Sequence, residues 1–244
     1  VFCEIPSNPL LRSPNIGGLR ELTSRYQVPL LIDDTLGGTT NLRMLPAADV
    51  LVTSLTKYFS GVGDVMGGAW ILNADSPLYT ELKELAAAEF EDMLFDGDAV
   101  TLEVNSRDCA QRMQRINNNA ETLAGFLHEH RAVMRVYYPK YETTEHYNAF
   151  RREGAGYGGL LSFDVTAPAV NAPRVFDALR VAKGPNLGTN YTLSCPYTIL
   201  AHYQELDFAE RCGVSRYLIR VSVGLEPTHE IIARFAEALE YAGS

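Results

Sequence analysis

The first third of the chain alternates short unbroken apolar runs with stretches whose apolar residues recur three and four apart. Val28-Pro29-Leu30-Leu31-Ile32 runs into Asp33-Asp34-Thr35, and Asp49-Val50-Leu51-Val52-Thr53 runs into Ser54-Leu55-Thr56-Lys57. Gly67-Gly68-Ala69-Trp70-Ile71-Leu72 is a third run. Apolar runs without polar alternation predict strands covered on both faces, as in a parallel sheet between helices. The link between the first two strands carries Gly37 and Gly38 and is too long for a hairpin, which predicts a crossover. Val1 to Ile5 reads as a further buried strand leading into a turn at Pro6-Ser7-Asn8-Pro9. A chain that starts inside a strand, on valine, is expected to have lost its beginning.

Helical spacing fills the intervals. Leu19, Leu22 and Tyr26 precede the first of these runs. Ser76-Pro77 reads as a cap and first turn, followed by Leu78, Leu82 and Leu85, with a stop at Gly97. A long helix is predicted from about residue 99 to 129, with Asn117-Asn118-Asn119 as a bend or domain junction, since asparagine is a poor helix interior. Beyond it the order changes: strands at Val133 to Tyr138, Leu160 to Val165 and Tyr217 to Val223, helices at Asn171 to Ala182 and through Ile231, Phe235 and Leu239. The prediction is an α/β chain with part of a mostly parallel sheet domain over residues 1–116 and a smaller α+β domain over 117–244.

Composition narrows the classes. The 244 residues carry 21 basic and 30 acidic side chains, a net charge of −9, and 46% are apolar, which suits an ordered globular chain. Net acidity without a Lys/Arg cluster argues against a nucleic-acid partner. No apolar run approaches the roughly 20 residues that span a bilayer, so no membrane partner is expected. Four dispersed cysteines without a CxxC pair read as reduced thiols in a cytoplasmic protein. Metal binding is not expected: His128 and His130 point to different helix faces, and no zinc or calcium pattern is present.

Candidate chemistry gathers at the strand ends, where open α/β sheets bind ligands. Asp33 ends one strand; Ser54, Thr56 and Lys57 follow another. An acid, two hydroxyls and a lysine suit a phosphorylated ring bearing a nitrogen. Taken singly, Lys57 reads as a solvated side chain and Asp33 equally as a cap. Gly61-Val62-Gly63-Asp64-Val65-Met66-Gly67 is not a dinucleotide loop, because it precedes a strand and has the wrong spacing. Period two over Tyr217 to Val223 sets Arg220 opposite an apolar face, which fits either a cleft or a solvated strand surface.

Several motifs in fixed order carry a resemblance. They are Glu4-Ile5-Pro6-Ser7-Asn8-Pro9, Ile32-Asp33-Asp34-Thr35, Ser54-Leu55-Thr56-Lys57-Tyr58, Asp64-Val65-Met66-Gly67-Gly68 and Arg220-Val221-Ser222-Val223-Gly224-Leu225-Glu226. Together they resemble the Cys/Met-metabolism group of pyridoxal 5'-phosphate (PLP) enzymes, which have the fold type I of PLP-dependent transferases. This group holds cystathionine γ-synthases, γ- and β-lyases and O-acylhomoserine sulfhydrylases. Ser194-Cys195-Pro196-Tyr197-Thr198 looks like the fungal γ-synthase branch. The resemblance implies that Lys57 bonds the cofactor and moves protons, Asp33 faces the pyridine nitrogen, Ser54 and Thr56 hold the phosphate, and Asn8 lies near the phenolic oxygen. It implies Arg220 as the grip on the substrate α-carboxylate, with Asn186 and Tyr191 also at the substrate.

Departures from the family pattern sharpen the expectation. Asp34 stands where asparagine is common, Val62-Gly63 replaces His-Ser, Asn186 replaces serine, and Tyr191 replaces a glutamate that helps to choose the amino-acid partner. The activity implied is γ-replacement on an O-acyl-L-homoserine such as O-acetylhomoserine, with a thiol as nucleophile. A carbon nucleophile in specialised biosynthesis is the rival, followed by sulfide and by γ-elimination; a non-catalytic remnant is the alternative of another class. The resemblance covers the latter part of the cofactor domain and the C-terminal domain, and implies a homo-oligomer, at least a dimer and by likeness a tetramer.

Overall fold

The computed structural model describes residues 1–242. In chain order the elements are β1 (Phe2–Glu4), α1 (Ile16–Tyr26), β2 (Leu31–Asp33), β3 (Val50–Ser54), β4 (Gly68–Leu72), α2 (Tyr79–Glu89), α3 (Asp96–Ser106) and α4 (Cys109–Glu129). There follow β5 (Val133–Tyr137), α5 (Thr144–Asn148), β6 (Leu160–Val165), α6 (Pro168–Ala178), β7 (Ala182–Lys183), β8 (Leu193–Pro196), α7 (Tyr197–Ala201), α8 (Leu206–Arg211), β9 (Ile219–Ser222) and α9 (Thr228–Leu239).

The first sheet has the order β1-β2-β3-β4. Its first two pairs are parallel, as the apolar runs and the long β2–β3 link require. The link carries only a single 3-10 turn, Leu45–Ala47. β4 corrects the expectation of a third parallel run: it pairs antiparallel to β3, with Ser54 opposite Gly68. The stretch from Leu55 to Gly67 folds back on the end of β3, with the Leu55 and Thr56 N–H groups both donating to the Gly67 carbonyl (2.8 and 3.2 Å). β1 is an edge strand on which Val1 and Phe2 are exposed, so the buried part of the predicted opening strand is confined to its end, at Ile5.

The C-terminal sheet runs β5-β6-β9-β8-β7, antiparallel except for β7 with β8. α4, α6 and α9 cover it, closing a core of Leu123, Leu127, Phe163, Val175, Val221 and Phe235. β9 lies centrally, so all four of its residues are buried. That overturns the solvated-surface reading of Arg220, which is only 4% exposed. A second cluster joins the two sheets through Leu10, Leu36, Tyr58, Met113, Ile116 and Leu187.

The helical expectations needed further corrections. The predicted helix over 99–129 is broken at Arg107-Asp108 into α3 and α4, and α3 begins at Asp96, so Gly97 lies in its first turn and stops nothing. Ser76 does not cap α2; its hydroxyl donates to the Asp49 carboxylate. Asn117–Asn119 is no bend, because α4 is continuous there. Asn117 donates to Asn41 Oδ1 (2.7 Å) and accepts from Gly158 N (3.0 Å), while Asn119 donates to the carbonyls of Gly224 and Glu226. Amides satisfied by other elements no longer compete with the helix backbone. The helix expected over 171–182 sits earlier, at α6, leaving 182–183 to β7. We propose residue 116 as the divide between two units, since α4 packs Met113 and Ile116 into the joining cluster and Ala120 to Leu127 into the C-terminal core.

Candidate active site

β2 and β3 end side by side, and parallel pairing delivers Asp33 and Ser54 to the same rim of the sheet. After Ser54 the chain enters a wide π-type turn, Leu55–Phe59, in which Lys57 leaves helical geometry (φ −89°, ψ −123°). A cavity of about 190 Å³ lies at this rim, lined by Glu4, Asn8, Asp33, Thr35, Ser54 and Lys57 with the apolar Pro6, Leu36 and Leu187. Asp33 Oδ1 accepts from Thr35 N (2.8 Å), and Thr35 Oγ1 accepts from Ser54 N (2.8 Å). Thr35 thus ties the two strand ends together.

Lys57 is half-buried and donates through Nζ to Asn186 Oδ1 at 3.1 Å. Burial, and then the charge of Arg220, depress its pKa below the ordinary lysine value. The contact with Asn186 crosses from one sheet region to the other. It is possible because Gly188 lets the 185–190 loop lie directly on the lysine turn. Gly188 has φ +78°, and a Cβ there would stand 2.7 Å from Tyr58 N and 2.8 Å from the Lys57 carbonyl carbon. Gly188→Ala is accordingly expected to destabilise the full-length protein by about 2 kcal/mol, from left-handed strain together with overpacking. An unchanged urea midpoint would contradict this.

Arg220 reaches the same place from β9. Its Nη1 donates to Asn8 Oδ1 (3.1 Å), its Nη2 to the Pro185 carbonyl, and its guanidinium carbon lies 4.9 Å from the centre of the Tyr197 ring. Lys57, Asn186, Arg220 and Asn8 are therefore linked across the junction of the two sheets. Asp33 and Ser54 share the cavity with Lys57 and Asn8.

Two predicted residues stand apart. Thr56 commits its hydroxyl to Gly67, accepting from its N–H at 3.0 Å and donating to its carbonyl at 3.3 Å. Tyr191 is exposed, and its carbonyl accepts from Thr189 Oγ1; among the described residues it makes no hydrogen bond to Lys57, Arg220 or Asn8. Sequence reasoning missed Thr35 and Tyr197, whose partners Ser54 and Arg220 are distant in sequence, and Glu4, which lines the cavity. It also missed Arg112, which does leave a trace: a charged residue beside the buried Met113 and Ile116 of α4.

The donor set fits PLP: an acid for a ring N–H, a free hydroxyl on Ser54 for phosphate oxygens, an amine for an aldehyde, and Leu36 and Leu187 as apolar walls. Among the described residues no group of three or more His, Cys, Asp or Glu that could hold a metal ion occurs.

Comparison with known proteins agrees. Cystathionine gamma-synthase of Neurospora crassa is 46% identical over 243 residues, covering 99% of this chain and 39% of that protein. A cystathionine gamma-synthase-like enzyme of Amanita muscaria is 44% identical over 264 residues, covering 99% of this chain and 43% of that protein. The chain thus spans about two fifths of the length of these curated relatives. The crystal structure of cystathionine gamma synthase from Xanthomonas oryzae pv. oryzae in complex with cystathionine superposes with a TM-score of 0.87 at 26% identity, covering 99% of this chain and 63% of that one. A profile of the Cys/Met metabolism PLP-dependent enzymes matches residues 1–240. The chain, with an amine, an acid and a buried arginine converging at its strand ends, belongs to the Cys/Met metabolism family of PLP-dependent enzymes.

Proposed function

We propose that the protein carrying this chain performs γ-replacement on an O-acyl-L-homoserine with a thiol nucleophile, as a cystathionine γ-synthase-like transferase. The observation that carries this reading is the contact of Lys57 with Asn186 beside Arg220 and Asn8. It supports the reading by putting the amine to which we assign the proton transfers next to the guanidinium to which we assign the substrate carboxylate. Bound at Asp33, Ser54 and Lys57, PLP supplies an electron sink for negative charge at the substrate α-carbon.

The chain's own residues supply the rest. A substrate carboxylate is a stronger acceptor than the Asn8 amide oxygen and takes over the Arg220 Nη1 donor. Arg220 is held from behind by the Pro185 carbonyl and the Tyr197 ring, so it loses little freedom on binding. Lys57 Nζ takes the α-proton and later returns a proton; its depressed pKa makes the neutral, basic form available nearer neutral pH. Asn186 Oδ1 accepts from that amine and keeps it over the cavity. Asp33 faces the ring nitrogen, while Ser54 and Thr56 are assigned to the phosphate, Thr56 after exchanging its bond to Gly67.

A carbon nucleophile is the second reading. It is favoured by Tyr191, which replaces the partner-selecting glutamate and lies exposed without a bond to the site. The reading also makes the protein a cytoplasmic homo-oligomer, a dimer at least and a tetramer by family likeness. No described helix is long and apolar enough to cross a membrane.

The test gives the full-length protein O-acetyl- and O-succinyl-L-homoserine, each with cysteine, sulfide or a β-keto acid, and identifies products by mass spectrometry. Cystathionine as the main product is expected. A carbon–carbon adduct in its place overturns the thiol assignment, and no turnover of either ester overturns γ-replacement.

A further inference from the structure

Arg112 is 7% exposed in the first turn of α4, and its guanidinium serves five acceptors. Nη2 donates to three successive carbonyls of the lysine turn and the residue after it, Tyr58 (3.2 Å), Phe59 (2.8 Å) and Ser60 (3.0 Å). Nη1 donates to the carbonyl of Asn105 at the end of α3 (2.7 Å) and to the Asp108 carboxylate. The turn needs such a partner. Carbonyls 58 to 60 close the turn, where a helical end leaves its last carbonyls without intrahelical donors; that of Tyr58 also accepts from Cys109 Sγ (3.6 Å). Buried carbonyls without donors are costly. Gly61 completes the arrangement: its φ is +75°, and a Cβ there would stand 2.6 Å from Arg112 Nε.

We propose that Arg112 is a positioning residue for the reaction, clamping the turn that aims Lys57 at the site; this rests on the role assigned to Lys57 above. A planar fork is required, because one nitrogen must gather three carbonyls while the other holds the end of α3. A lysine in its place carries the charge on one compact ammonium and cannot reach both groups. Loosening the turn displaces Lys57 Nζ relative to Asn186 and Arg220. A displacement near 1 Å of a proton-moving group costs on the order of a hundredfold in rate.

The test uses the full-length protein with Arg112→Lys, Gly61→Ala and, as a control, Gly154→Ala. Gly154 shares the positive φ of Gly61 (+72°), but a Cβ there meets nothing within 4 Å. Two quantities are read. Amide hydrogen exchange of residues 55–61 is followed in the cofactor-free protein, which needs no assumption about the reaction, and kcat and KM are measured with the loaded enzyme. Arg112→Lys and Gly61→Ala are expected to speed exchange at the Ser60 and Gly61 amides about tenfold or more. Both should lower kcat by roughly 10- to 100-fold with KM changed less than about twofold. Gly154→Ala should change neither.

Wild-type kcat in a folded Arg112→Lys protein with a lowered melting temperature overturns the proposal, leaving Arg112 a merely structural residue. If Arg112→Lys does not fold, wild-type exchange and kcat in Gly61→Ala overturn it equally. Faster exchange in a protein that turns over no O-acylhomoserine leaves the clamp standing and rejects only the assigned reaction.

Discussion

Lys57→Ala in the full-length protein is expected to lower turnover by ~10³-fold or more, the scale of a lost general acid–base that also tethers the cofactor. No neighbour substitutes for it, since Lys57 is the only amine among the described residues lining the cavity. The other nearby cation, Arg220, is a guanidinium and not an amine. Lys57→Arg should fail as well, although it keeps the charge and the reach, because the guanidinium does not give up a proton near neutral pH. The melting temperature should stay within a few degrees, as the half-buried side chain is held through its hydrogen bond to Asn186 and little else. Turnover within tenfold of wild type in either variant would remove Lys57 from the proton-moving role.

Asp34→Asn is expected to stabilise the protein at neutral pH. Asp34 is fully buried at the end of β2, and neither carboxylate oxygen has a hydrogen-bond partner of good geometry. Burial pushes its pKa up from 3.8 to about 6, with the adjacent Asp33 adding to the rise and the Thr53 hydroxyl only partly offsetting it. At ~1.4 kcal/mol per pH unit, the ionised carboxylate then costs the fold about 3 kcal/mol at pH 7 to 8. The sign follows from the raised folded-state pKa: the wild type loses stability as pH rises from the unfolded-state value through the folded one. The advantage of the Asp34→Asn variant should therefore be full above about pH 7 and fade as pH falls towards 4. Urea denaturation across that range measures it, and a variant no more stable than wild type at pH 8 would show that Asp34 is not an unpaired buried charge.

The gathering of candidate residues at the strand ends was legible from order and spacing, while the roles assigned to them came from the family resemblance. Asp33, and Ser54 with Lys57, follow unbroken apolar runs, and a parallel sheet carries the ends of such runs to one rim. The motifs from Glu4 to Glu226 pointed to the family that the whole-chain comparison supports. Other features could not be read this way because their signals are ambiguous in one dimension. Arg220 has the same alternation in a central strand as on a solvated one, and only the place of β9 between β6 and β8 buries it. Asn117 and Asn119 are poor helix residues until Asn41, Gly158 and Gly224 arrive from distant segments to satisfy them.

By itself the sequence determined the α/β class, because local periodicity acts through neighbours along the chain, and the PLP family, through motifs whose order resembles it; the amine, the acid and the arginine were implied by that resemblance. The tertiary structure alone decided how those groups meet. Gly188 seats one loop on the lysine turn, Arg112 holds that turn from behind, and Asn186 reaches Lys57 across 129 positions of chain. It also set Tyr191 apart from the site and left Asp34 buried without a well-placed partner. Contacts between residues so distant in sequence depend on the packing of whole elements, and no local pattern records that packing.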